Sequence, residues 1–203
     1  MIKGEKIGLR AIEREDLIQL RNWRNRPELR LNFREYRELS MKDQENFYET
    51  MVQGSNHVVF GIVISKQENE PLKPYSDYSI DHLKLIGVCR LSYINWHDRN
   101  AETGIYIGDE SELGKGYASD ALKTLVRYGF CELGLQRIWA EIYTFNEESL
   151  SLFLRCGFKE EGILRKAHFT QGRFWDSKIL AILAEDFFEQ LNQCGNGISP
   201  KPP

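Results

Sequence analysis

Ile7-Gly8-Leu9-Arg10-Ala11-Ile12 alternates apolar and polar positions as a first strand does, and Asp16 stands where a cap would open a helix with Leu17, Leu20 and Trp23 on one face. That helix should end before Pro27, because the residue preceding a proline is pushed out of the α region. A second helix is expected after Ser40, with Ser40-Met41-Lys42-Asp43 resembling a capping box in which Asp takes the place of Glu. His57 to Ile64 and Leu83 to Ile94 read as strands, and the polar stretch Lys66 to Asp81, with Pro71 and Pro74, reads as a long hairpin loop between them. Ala101 to Ile107 gives another strand, Ser119 to about Cys131 a helix, and Arg137 to Tyr143 a strand with Ile138, Ala140 and Ile142 on one face. Glu147 to Arg155 is a short helix ended by Gly157, and strands around Lys159 to Arg165 and Phe174 to Leu183 follow. The pattern is an α/β (α+β) chain with a mixed, mostly antiparallel sheet of about seven strands flanked by helices.

Length and composition narrow this picture. A chain of 203 residues, 41 % hydrophobic and 28 % charged, suits one soluble domain, here placed at residues 1–190, and no window approaches the roughly 18 apolar residues of a membrane span. Met1-Ile2-Lys3-Gly4-Glu5-Lys6 lacks the apolar core of a secretory signal, so a cytoplasmic location and no membrane partner are expected. Residues 191–203, with Gly195, Gly197, Pro200, Pro202 and Pro203, have nothing to bury and are read as a disordered tail. Cys89, Cys131, Cys156 and Cys194 are scattered without Cys-x-x-Cys or matching histidine spacing, which points to free thiols and no metal site. The net charge of −3 gives no global field for nucleic acid. Locally, Arg21, Arg24, Arg26, Arg30, Arg34 and Arg37 crowd together, interleaved with Glu28, Glu35 and Glu38: a solvated face or an anion site.

Leu113-Gly114-Lys115-Gly116-Tyr117-Ala118 lies between the strand at Ile105 and a helix with Ala118, Ala121, Leu122, Leu125 and Val126 at helical spacing. Free N–H groups at a helix start attract anions, and glycines let the backbone approach a phosphate closely. Lys115 could add charge at the rim. The turn is neither a Walker loop, since Lys115-Gly116-Tyr117 lacks Gly-Lys-Ser/Thr, nor a Gly-x-Gly-x-x-Gly fingerprint, and two glycines before a helix can also be an ordinary tight turn. Farther on, Asn146-Glu147-Glu148-Ser149 leads into Phe153-Leu154-Arg155-Cys156-Gly157-Phe158, an Asn-capped helix.

These two segments resemble the GNAT superfamily of N-acetyltransferases, in the RimJ/RimL-like branch that acetylates ribosomal-protein N-termini, polyamines and sugar-nucleotide amines. The resemblance spans roughly Ile7 to Phe187. The family's phosphate turn reads Gln/Arg-x-x-Gly-x-Gly/Ala, matched at Gly116 and Ala118 and departed from at Leu113. The resemblance implies the GNAT acyl-CoA N-acyltransferase fold with acetyl-CoA as cosubstrate, entering where the strands at Ile105 and Arg137 diverge. Strand backbone at Ile105, Tyr106 and Ile107 would pair with the pantetheine amides, and Leu113, Gly114, Lys115, Gly116, Tyr117 and Ala118 would hold the pyrophosphate. Asn146 would contact the pantetheine arm, and Ser149 and Phe153 lie on the helix along the coenzyme. Many members carry at the position of Phe153 a tyrosine that protonates the departing thiolate; phenylalanine has no proton to give, which leaves Ser149, one turn earlier, as the nearest donor in sequence.

A protonated amine cannot attack a thioester, so a base is needed. Glu102 aligns with the family's acidic residue beside the acyl group and is the first candidate, with His97 and Asp98 second; His57, His82 and His168 lie in less informative places. The expected activity is acetyl transfer to a primary amine, first a protein N-terminus, alternatively a polyamine or nucleotide-linked amino sugar. The segment Leu20-Arg21-Asn22-Trp23-Arg24-Asn25 resembles that of the sugar-nucleotide enzymes. A coenzyme-binding module without turnover is the competing possibility raised by Phe153. Besides acetyl-CoA and the amine no partner is expected, and the chain is expected to be a monomer or homodimer.

Overall fold

The computed structural model describes residues 1–66 and 82–193. Eight strands, β1 Ile2–Lys3, β2 Gly8–Ala11, β3 Val58–Ser65, β4 Leu83–Asn95, β5 Asn100–Ile107, β6 Arg137–Tyr143, β7 Lys159–Thr170 and β8 Arg173–Leu183, follow the order β1-β2-β3-β4-β5-β6-β8-β7. Among the described residues six α-helices accompany them: α1 Leu17–Asn25, α2 Pro27–Arg30, α3 Met41–Phe47, α4 Tyr117–Cys131, α5 Glu147–Arg155 and α6 Ala184–Gln193. This is the expected mixed, mostly antiparallel α/β sheet, with β1 as one strand more than sequence patterning gave. β6 pairs antiparallel with β8 along its whole length, whereas the parallel register of β5 with β6 covers Asn100↔Arg137, Ala101↔Ile138 and Glu102↔Trp139.

Several boundaries follow from local chemistry. Ser40 and Asp43 form the expected capping box, Asp43 N–H donating to Ser40 Oγ at 3.2 Å and Ser40 N–H to the Asp43 carboxylate at 2.8 Å. α1 stops at Asn25, and Pro27 then starts α2 at a position where its missing N–H costs nothing. Asp16 departs from its expected role as the cap of α1. It lies in a 3-10 turn, Arg14–Asp16, with its carboxylate turned back to Glu13 N–H (2.9 Å) and to Arg10, in an ion pair whose guanidinium is buried and whose carboxylate is half-buried. α6 runs three residues into the stretch assigned to the tail; residues 194–203 lie outside the described residues, as does all of the loop expected from Lys66 to Asp81 except Lys66 itself.

The chain forms two compact units, Met1–Tyr93 with Thr103–Val126, and Ile94–Glu102 with Arg127 onward. In the first, Ile12, Leu17, Leu20, Trp23, Tyr48, Val59, Val63 and Leu85 build a core between α1, α3 and the sheet. The β3–β4 register shifts between Ile62 and Val63, leaving Ile86 without a partner on β3, and the Ile86 carbonyl accepts from Gly108 N–H (2.8 Å) and Asp109 N–H (3.1 Å). The chain leaving β5 is thereby tied to β4 just before the glycine turn. A Cβ on Gly108 would lie 2.1 Å from the Trp23 ring. Gly108→Ala should therefore lower stability by about 1–3 kcal/mol, the cost of overpacking a filled core. Urea unfolding checks this, and an unchanged midpoint would mean that Trp23 is free to move.

In the second unit, Leu135, Ile138, Ala140, Ile142, Phe153, Phe158, Leu180 and Ile182 are buried. Gly157, at φ +92°, ends α5 as expected. β7, last in the strand order, is solvent-exposed along most of its length, its pairing with β8 breaks register at Glu160/Gly162 and Leu164/His168, and Glu160 and Glu161 form ion pairs with Lys178 and Arg137.

Candidate functional site

The glycine turn belongs to the first unit. Asp109 opens a short 3-10 helix, Glu110–Glu112, by accepting from Ser111 N–H at 3.0 Å, and this helix delivers an exposed Leu113 to the turn. Gly114 and Gly116 adopt φ +74° and +85°, a region that costs residues with a Cβ about 1–2 kcal/mol. A Cβ on Gly114 would face open space, and one on Gly116 would meet the Lys6 ammonium at 3.5 Å. Among the described residues, no acceptor meets the N–H groups of Gly114, Lys115, Gly116, Tyr117 and Ala118. Open glycine faces followed by a helix with unsatisfied donors fit a pyrophosphate.

Charges around the turn differ from the expectation for Lys115. Its ammonium donates to Glu112 at 2.8 Å, and the same carboxylate receives Lys84 at 2.7 Å. These bonds, Lys115's first, hold Glu112 below the usual carboxylate range. Two residues that sequence reasoning missed complete the neighbourhood. Asp120, in the first turn of α4, accepts from Glu5, Lys6 and Ile7 N–H at 3.0, 2.6 and 3.0 Å, and Lys6 Nζ donates to the Lys115 carbonyl at 3.3 Å. No local pattern joins residues 114 positions apart. Of the β5 positions, Tyr106 packs edge-on against Trp23 and Phe33, with its hydroxyl pushed up to about 12 by burial, while Ile105 is half-buried and Ile107 buried.

The second unit holds Glu102, Asn146, Ser149 and Phe153. Glu102 is only 7 % exposed, on the part of β5 that pairs with Trp139, an interior place for a carboxylate that sequence had left between surface and catalysis. Asn146 is the cap of α5: its Oδ1 accepts from Ser149 N–H at 3.1 Å, and its own N–H donates to the Tyr143 carbonyl. Ser149 is half-buried one turn before Phe153, which is buried and edge-on to Phe158 at 4.9 Å. His97 and Asp98 occupy an exposed turn held by Asn95, whose Oδ1 accepts from both N–H groups at 3.0 Å. His57 Nδ1 accepts from Tyr93 N–H, and burial, aided by Arg90, lowers its pKa. His168 stacks on Tyr143 at 3.8 Å between ring centres, and burial holds it below the usual histidine range against the opposing pull of Glu141. Among the described residues no helix is long and apolar enough to cross a membrane, and no His, Cys, Asp and Glu cluster could hold a metal ion.

Residues 6–159, a stretch that runs through both units, match the family described as the acetyltransferase (GNAT) domain. A spermidine N(1)-acetyltransferase from Vibrio cholerae is 29 % identical over 187 residues, covering 92 % of this chain and 98 % of that protein. The probable N-acetyltransferase YjcK of Bacillus subtilis is 30 % identical over 189 residues, with coverage of 92 % and 98 %. The fold is also similar to the crystal structure of the Vibrio cholerae spermidine N-acetyltransferase in complex with CoA and spermine, with a TM-score of 0.77 at 27 % identity over 90 % of this chain and 98 % of that one.

Proposed function

Because the chain belongs to the GNAT acetyltransferase family and is an N-acetyltransferase using acetyl-CoA, we propose that its acceptor is a small amine of the polyamine class, preferred to the protein N-terminus that sequence put first. The observation that carries this reading is similarity to a spermidine acetyltransferase over 98 % of that protein's length, rather than over the coenzyme-binding half alone. One domain, continuing through α6, carries the activity. The turn Leu113 to Ala118 holds the pyrophosphate through main-chain N–H groups, β5 backbone at Ile105 to Ile107 pairs with the pantetheine amides, and Asn146, Ser149 and Phe153 line the coenzyme along α5. The neutral amine attacks the thioester carbonyl; the C–N bond forms, the C–S bond breaks, and CoA leaves as the thiolate. Glu102 takes the amine proton, directly or through water, and Ser149 or water protonates the thiolate, Phe153 having no proton to give.

A second reading has its own support. Arg26 is spent on Glu110 and the Gly108 carbonyl, and Arg37 on Glu35, but the Arg24 guanidinium lies over Phe33 and Phe47 and hydrogen-bonds to no carboxylate among the described residues. A cation so held attracts an anionic acceptor such as a nucleotide-linked amino sugar and opposes a polycation. Free-thiol release from acetyl-CoA, measured with spermidine, a nucleotide-linked amino sugar and an N-terminal peptide, separates the readings. Turnover with spermidine is expected. Turnover confined to the sugar nucleotide or the peptide would move the assignment there, and CoA binding with no turnover on any amine would make the chain an inert coenzyme-binding module.

A further inference from the structure

The glycine turn has a basic side chain brought to it from the far end of the sequence. Lys115, the lysine within the turn, is drawn back onto Glu112, which also binds Lys84. Lys6 is placed differently. Its ammonium stands 3.3 Å from the Lys115 carbonyl and 3.5 Å from the open Cβ direction of Gly116, and among the described residues it forms no ion pair with a carboxylate. Its position is not left to a loose N-terminus. Both carboxylate oxygens of Asp120 are taken up by three successive N–H groups, Glu5, Lys6 and Ile7, which fastens this segment to the first turn of α4. Three main-chain donors satisfy the carboxylate, so its charge opposes an incoming anion less than a bare acid at that place would.

We propose that Lys6 is a coenzyme-binding residue that pairs with the pyrophosphate at the Gly114–Gly116 turn, and that Asp120 is the positioning residue that keeps it there. The inference rests on the acetyl-CoA reading of that turn and adds to it a cation that, unlike Lys115, is not drawn onto Glu112. Lys6 is close to the turn's own main chain, which is why the pyrophosphate, rather than the outlying 3′-phosphate of CoA, is its partner.

Calorimetric titration of the whole chain with CoA, 3′-dephospho-CoA and pantetheine tests this at two salt concentrations. Lys6→Gln should weaken CoA and 3′-dephospho-CoA alike, roughly fivefold at low salt and less at high salt, as for one solvent-exposed ion pair. Pantetheine, which has no phosphate, should bind both proteins equally. Lys6→Arg should restore most of the loss, and Lys123→Gln, which removes the same charge from an exposed site on α4, should leave affinity unchanged. Asp120→Ala should weaken CoA in the parent and add little in the Lys6→Gln background, whereas a merely structural role would give the same loss in both. Parent affinity for CoA in Lys6→Gln, or a loss that disappears with 3′-dephospho-CoA, would overturn the proposal. Failure of the unmodified chain to bind CoA at all would instead overturn the reading of the turn.

Discussion

Glu102→Gln should leave CoA affinity near the parent value while turnover falls by about 10²–10⁴-fold, the range typical of losing a general base. The amide keeps the shape of the side chain and most neutral hydrogen bonds but cannot accept a proton. Because Glu102 is only 7 % exposed, the substitution also tests whether the residue is held for packing: a structural role would lower the unfolding midpoint and spare the rate. In the parent, the acidic limb of the pH–rate profile should report one deprotonation. In Glu102→Gln that limb should flatten or move toward the amine's own ionisation. Parent rate with the parent's acidic limb would return the role to His97, Asp98 or water.

Gly116→Val should weaken CoA binding by more than about 100-fold while the domain still folds, and it acts twice. A β-branched residue is strained at φ +85°, and its side chain would fill the space beside Lys6 that the proposed pyrophosphate would occupy. Gly116→Ala bears the backbone strain of about 1–2 kcal/mol with little of the bulk, so its affinity should lie between parent and valine. Equal CoA dissociation constants in all three proteins would remove the turn from the coenzyme site.

Elements whose evidence is local were legible in the sequence. β6 and α5 occupy the residues expected of them, because Ile138, Ala140 and Ile142 recur at every second position and a helix is bracketed by Asn146 and Gly157. β1 was not legible, since two residues carry no period, and it exists through its pairing with Leu9 and Gly8. Asp16 was misassigned because an acid before an apolar run is a cap signal whether or not Arg10 competes for it, and Arg10 wins at 2.7 Å. The glycine turn was readable from residue size and context, but the Asp120 bonds to residues 5–7 and the diversion of Lys115 to Glu112 depend on where the fold brings distant or competing groups. Glu102 could be singled out by alignment with a family; its burial could not.

β7 carries a further consequence for behaviour at high concentration. A twelve-residue strand ending a sheet offers main-chain groups that another unfolded or partly folded chain could join. Its two register shifts bend that row of donors and acceptors out of line, and the charges of Glu160, Glu161, Arg165 and Lys166 make an apolar neighbour costly to seat along it. Straightening the strand by deleting the extra residues at both register shifts, or neutralising those charges together, would turn a guarded edge into a template for self-association while leaving the glycine turn in the other unit unaltered.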